Sequence, residues 1–359
     1  MDELTYILGA GASYQSIPVV KTFAKRFEYF NATVLQRYGQ YNNELGNSYA
    51  SGMNLVKEFK THQSFDTYFK KLFHNDSLSE IQKAKKILNL YFYWEHLCEI
   101  TSKPTEPIND LPFWKESKID KRYDALIAGL LQPVSGKLKV FCKTNFITWN
   151  YDLNLFSSLK NYFKPESTVK EFLDDITDKE NKNLWKIDDQ IEVINMNGFF
   201  YSSKFDDYIN LPDYVFFSET FRDQFNDEFC KNKLQSDADK IKFAWETGLD
   251  ISKIAKSKIN DSKNVVVIGY TFPLYNRLSD LNYIDKDSSD YYFNQSKKIT
   301  IQDPNAENIT TTLLEFLEKP DSYRNLINIK TDCDYFYIPS NIFGEKEFNK
   351  GGYETILFK

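Results

Sequence analysis

Apolar positions follow two rhythms along this chain, and their alternation predicts the architecture. Residues 5–8 form a short apolar run opening directly into Gly9-Ala10-Gly11-Ala12-Ser13. Beyond Pro18, the spacing of Val20, Phe23, Phe27, Phe30, Val34 and Leu35 predicts a helix over 19–38. Residues 39–53 are polar and rich in Gly and Asn and read as a loop. Residues 55–100 carry helical stripes, Phe65, Tyr68, Phe69, Leu72 and Phe73 on one and Ile87, Leu88, Leu90, Tyr91 and Trp94 on another. Pro104, Pro107 and Pro112 break that block, and 124–131 reads as a further helix.

From Asn145 the rhythm changes. Buried strands are predicted over 145–149, 191–196, 265–268 and 299–301, with helices over 153–163, 237–258 and 310–317. Four consecutive β-branched residues make 265–268 the clearest strand of the chain. Strands alternating with helices predict an α/β fold with a doubly wound, mainly parallel, Rossmann-like sheet. Residues 39–140 lack strand signals and read as a large helical insertion, which leaves 1–38 and 141–359 as the ligand-binding domain.

The chain has 359 residues, enough for two domains or for one domain with an insertion at roughly 150 residues each. Its net charge of −6 argues against a general nucleic-acid binder, so any nucleic acid would be met only indirectly. The residues before Gly9 include no basic, apolar leader, and no run approaches the roughly 20 apolar residues of a membrane span. Cys98, Cys142, Cys230 and Cys333 lie far apart with no C-x-x-C pair, which predicts no metal site and reduced thiols in a cytoplasmic protein.

Every distinctive polar cluster follows a predicted strand, and in an open α/β sheet the carboxyl ends of the strands share one crevice. Gly9 and Gly11 permit close approach of backbone to a phosphate, the next helix would offer free N–H groups, and Ser13 could add a hydroxyl. Thr148, Asn150 and Asp152 alternate, so in extended backbone they share a face that could bond ribose hydroxyls and an amide. Equally, Asp152 could simply cap the next helix.

Taken in order, these clusters resemble the sirtuin superfamily. The likeness rests on Gly9-Ala10-Gly11-Ala12-Ser13 followed by Ile17-Pro18, on Thr148-x-Asn150-x-Asp152, on Gly269-Tyr270-Thr271, and on Gln302-Asp303 after the next strand. The resemblance implies NAD as ligand or substrate. It would be held by Gly9, Ala10, Gly11, Ala12, Ser13, Thr148, Asp152, Gly269, Tyr270, Thr271, Phe272 and Asp303, with Asn150 placing water or a ribose hydroxyl. The zinc ribbon of protein-deacylating sirtuins is missing. The helical insertion, with its Ser64-Phe65-Asp66-Thr67-Tyr68 segment, looks more like bacterial sirtuin-like NAD hydrolases of antiphage defence. That likeness implies a homo-oligomer or an operon-encoded protein partner.

The family's catalytic histidine would stand at Asn197, in Ile194-Asn195-Met196-Asn197-Gly198, whereas His62, His74 and His96 all fall in the insertion. An amide cannot accept a proton as imidazole does. A natural loss of activity, an introduced substitution and an altered hydrolase all fit the sequence. The expected activity is hydrolysis of NAD to nicotinamide and ADP-ribose. The alternative is a catalytically silent NAD or nucleotide sensor acting through a partner.

Overall fold

A computed structural model describes residues 3–32, 43–97, 120–181, 183–198, 241–246, 249–273, 276, 280, 284 and 297–343. In chain order these include β1 (Glu3–Leu8), α1 (Val20–Phe30), α2 (Asn43–Thr61), α3 (Phe65–His74), α4 (Leu78–Leu97) and α5 (Lys121–Leu130). Then come β2 (Leu131–Val134), β3 (Lys137–Val140), β4 (Lys143–Thr148), α6 (Asn154–Phe163), α7 (Val169–Ile176), β5 (Leu184–Ile187) and β6 (Ile191–Asn195). The described elements close with α8 (Leu249–Asp261), β7 (Ser262–Ile268), β8 (Lys298–Gln302), α9 (Ala306–Phe316) and β9 (Ile327–Lys330).

Seven strands form one sheet in the order β5-β6-β4-β1-β7-β8-β9. All neighbours are parallel except β5, which runs antiparallel to β6 at the edge. Counted along the chain, the six parallel strands lie in the order 3-2-1-4-5-6, that of a doubly wound Rossmann-like sheet. The expected fold class is therefore the observed one.

Strand periodicity splits the core. Leu4, Tyr6 and Leu8 pack with Phe146, Val193, Val266 and the helices before β4, while Ile7 joins Ile147, Val265, Val267 and Ile301 under α8 and α9. The first of these clusters is the aromatic one. Phe23, Phe27, Phe59, Phe65 and Tyr91 touch ring to ring between α1, α2, α3 and α4. The helical insertion is thus packed onto one face of the sheet.

Register aligns the functional edge. Leu8 pairs with both Thr148 and Ile268, Thr148 pairs with Asn195, and Ile268 pairs with Gln302. Residues 9, 149, 196, 269 and 303 consequently emerge side by side from the carboxyl edge of the sheet.

Several local expectations fail. Residues 43–53 are the first half of α2 rather than loop. Leu55, Val56 and Phe59 bury its second half, and helix propagation carries the polar half along. The insertion is not strand-free, because β2 and β3 form an antiparallel hairpin. Ser135 and Gly136 both take positive φ, at 53° and 76°, as a type I′ turn requires. The helix expected over 237–258 begins at Leu249. Ile241 instead bridges Gly198, and Ile241 and Phe243 are both fully buried, which is a period of two rather than 3.6. The edge strands β5 and β9 escape prediction because each is four residues long and only partly apolar. The prolines of 101–113, Cys98, Cys230 and the side chain of His96 lie outside the described residues.

Candidate functional site

A cleft of ≈ 490 Å³ opens at the carboxyl edge of β1, β4, β7 and β8, in the usual size range of small-molecule sites. Of the residues expected there, Ala10, Gly11, Asn150, Asp152, Asn197, Gly269, Tyr270, Thr271 and Asp303 line it. Gly9, Ala12, Ser13, Thr148 and Phe272 do not.

The glycine turn is built for backbone contact with its neighbour strand. Gly9 N donates to Ile268 O and Gly11 N to Gly269 O, both at 3.0 Å. A Cβ on Gly9 would lie 2.5 Å from Gly269 O, and one on Gly269, whose φ is +60°, would lie 2.3 Å from Ala12 N. The amides of Gly9 and Gly11 are therefore committed to β7 and not free to cradle a phosphate. The turn leads into a 3-10 turn over Ala10–Ser13, and α1 begins only at Val20, after Ile17-Pro18. No α-helix N-terminus directly follows the glycines.

Ser13 is 1% exposed and works behind the wall. Its Oγ lies 3.1 Å from Tyr123 Oη and accepts from Asn150 Nδ2 at 3.1 Å. Thr148 Oγ1 accepts from Asn150 N at 3.1 Å. Both hydroxyls accept from Asn150 and so orient it. Phe272, at φ +48°, is buried against Tyr270 and Phe316. Asp152 Oδ1 accepts from both Asn154 N, at 3.0 Å, and Asn154 Nδ2, at 2.7 Å. The N-cap of α6 is Leu153, so Asp152 forms an Asx turn one residue earlier than a cap would stand. Burial raises its pKa, against those hydrogen bonds.

Asn197 is positioned by its neighbours. Its backbone N donates to Asn195 Oδ1 at 3.0 Å, and its Nδ2 donates to Trp149 O at 2.8 Å. A carbonyl only accepts, so this contact fixes which end of the amide is nitrogen. Asn197 Oδ1 and Asn150 Oδ1 are buried with no hydrogen-bond partner among the described residues. An unmet buried acceptor costs about 1–3 kcal/mol, so the pair favours a ligand or water that donates there. Trp149 stacks on Tyr270 at 5.5 Å and 6°, locking together the ends of β4 and β7.

At the end of β8, Asp303 Oδ1 accepts from Asn305 N at 2.8 Å, and burial raises its pKa. Gln302 has another task. Its Nε2 donates to Asp332 O and Tyr335 O, both at 2.6 Å, and its Oε1 accepts from Tyr337 N at 2.8 Å, which ties down the segment after β9.

Sequence reasoning missed much of the opposite wall, including Tyr14, Phe65, Asp66, Phe92, Arg122 and Phe336. Arg122 is 3% exposed and paired with Asp120 at 2.5 Å. It donates to Ala12 O at 2.8 Å and Cys333 O at 3.1 Å, with Tyr14 and Phe336 rings 4.3 and 4.7 Å from its guanidinium carbon. One signal was present, since Asp120 stands two residues before Arg122 as the N-cap of α5. Among the described residues no three His, Cys, Asp or Glu side chains cluster to hold a metal, and no described helix is long and apolar enough to cross a membrane. No protein-family model matches the chain, and no curated protein matches it either.

Proposed function

We propose that the protein binds NAD in this cleft and that its activity is hydrolysis of NAD to nicotinamide and ADP-ribose, in the manner of the sirtuin-like hydrolases of bacterial antiphage defence. One observation carries the reading. Asn150 and Asn197 stand at the carboxyl edge of a 3-2-1-4-5-6 sheet, line one cleft and hold buried amide oxygens to which no described residue donates. Ribose hydroxyls, a carboxamide and water are donors of the required kind.

Cleaving the nicotinamide–ribose bond leaves a cationic ribosyl centre and a neutral leaving group that needs no proton. The protein's task is then to hold the ribose, stabilise positive charge and place a water. Asn150 is fixed through Ser13 and Thr148, so its Oδ1 can accept from a ribose hydroxyl or from that water. Asn197 can accept but cannot take up a proton, which limits the rate rather than the binding. A cytoplasmic location, and a second copy or another protein as partner, belong to the same proposal.

A second reading is a silent NAD sensor, favoured by the amide at position 197, whose nitrogen is already spent on Trp149. Calorimetry with NAD and ADP-ribose, followed by chromatography of released nicotinamide, separates the two. Binding with turnover supports the hydrolase. Binding without turnover, even in cell extract supplying partners, supports the sensor. Absence of binding by both ligands overturns the NAD reading itself.

A further inference from the structure

One wall of the cleft, built where the helical insertion meets α1 and the end of β4, is both aromatic and acidic. Phe23 on α1, Phe65 and Asp66 at the start of α3, Phe92 on α4 and Tyr151 beyond β4 all line it. Their rings form a continuous cluster: Phe23 and Phe65 at 4.7 Å, Phe65 and Tyr151 at 5.7 Å, and Phe92 stacked on Tyr151 at 5.5 Å. The Tyr151 hydroxyl donates to Asp66 Oδ1 at 3.1 Å. Ser64 caps α3 by accepting from Thr67 N at 3.2 Å, which fixes where Phe65 and Asp66 begin.

No ion pair joins Asp66 to another described residue, and the buried cations of the packed helices face other carboxylates. Arg26 of α1 pairs with Glu95 of α4, and Lys85 of α4 pairs with Glu246. On α2, Glu58 faces His62 and Lys71 of α3. Arg122 is matched by Asp120. Asp152, beside Tyr151, and Asp303 add further acid, so the described lining carries three carboxyls against one guanidinium that is already paired. Such a wall attracts positive charge, and aromatic faces attract it again through their quadrupoles.

We propose that this wall seats a flat, cationic heteroaromatic ring, with the Asp66 carboxylate selecting for charge and Phe23, Phe65, Phe92 and Tyr151 supplying the faces. The assignment rests on the reading that a dinucleotide occupies the cleft, and it gives the pyridinium end of that ligand to this wall. A neutral ring of the same shape gains only the packing, while a cationic ring also gains the carboxylate. Asp66 opens onto the cleft yet is surrounded by protein. Burial pushes its pKa up to about 7, opposed by the Tyr151 hydroxyl and a backbone amide. A cation beside it favours the ionised form, so binding expels a proton, and affinity rises as pH rises through about 7.

The test uses the whole protein and two small probes, 1-methylnicotinamide, which is a cation, and nicotinamide, which is neutral. Titrations at pH 6 and pH 8 should show the cation binding roughly tenfold more tightly at the higher pH, with no such rise for the neutral ring. Calorimetry in two buffers of different ionisation heat should register proton release with the cation only. Asp66→Asn should remove both the pH dependence and the preference for charge while leaving ADP-ribose affinity unchanged. Equal binding of the two probes, a flat pH response, or no binding of the cation at millimolar concentration overturns the assignment. The pH series on the unaltered protein decides the matter even if Asp66→Asn does not fold. If the cation behaves as stated while NAD and ADP-ribose fail to bind, the dinucleotide reading falls and the cation site stands.

Discussion

Gly11 and Gly269 meet backbone to backbone. Gly11 N donates to Gly269 O at 3.0 Å, and a methyl on Gly269 would come within 2.5 Å of Gly11 Cα. This contact spans β1 and β7, where the chain reverses its direction of travel across the sheet and where doubly wound folds place their ligand crevice. The glycines therefore shape the floor of the cleft by letting two loops touch.

Gly269→Ala should cost stability well beyond ordinary backbone strain, about 2–4 kcal/mol, because it joins a left-handed φ to an unavoidable backbone clash. Gly136 is the control. It also has positive φ, at +76°, but a methyl there meets nothing within 4 Å. Gly136→Ala should cost only about 1–2 kcal/mol. Urea unfolding of the two variants checks the difference, and equal losses would dismiss the contact as the cause.

Asn197→His should speed nicotinamide release by at least roughly tenfold, a conservative part of the range for general-base help. Adding Asn150→Ala should cancel the gain, since Asn150 is the amide held by Ser13 and Thr148. Single-turnover assays with excess protein, supplemented with extract, measure both. A variant that binds NAD with no faster turnover would favour the sensor.

Asp120→Ala should destabilise the protein by about 3–5 kcal/mol, because it strands the buried Arg122 charge. It also removes the Asp120 Oδ1 that accepts from Arg122 N as the cap of α5. The double change Asp120→Ala with Arg122→Met should recover much of the loss, as the stranded charge is gone. A double-mutant cycle from thermal unfolding tests this; a double variant as unstable as Asp120→Ala would count against the stranded charge.

Lys297 sets a pH dependence on the basic side. Burial lowers its pKa from 10.5 to about 8, although its Nζ donates to Ile259 O and Asn260 O at the end of α8. Between about 8 and 10.5 the unfolded chain holds this proton while the folded chain has released it. Stability contributed by this group therefore rises with pH across that window, and Lys297→Met should flatten the rise. Unfolding midpoints from pH 7.5 to 10.5 reveal the slope; an identical slope in the variant would assign it elsewhere.

The parallel strands of the sheet interior were legible because they are apolar on both faces, and Val265 to Ile268 announce themselves without help from the rest of the chain. The position of Gly11, Asn150, Asp152, Asn197 and Asp303 beyond the strand ends was legible as well, since register brings those ends level. Local composition hid other elements. The polar half of α2 is helical because packing of its apolar half holds the whole helix, and β5 is a strand because β6 offers it an edge. The roles of Ser13 and Gly9 were also beyond reach, because they depend on Asn150 and Gly269, 137 and 260 residues away in the chain. The aromatic and carboxylate wall is the clearest case. Phe23, Asp66, Phe92 and Tyr151 share no motif, and only the packing of three helices against the end of β4 brings them to one cleft. Periodicity is a local property and specifies which face of an element is buried; which elements meet across that face is decided by the tertiary packing.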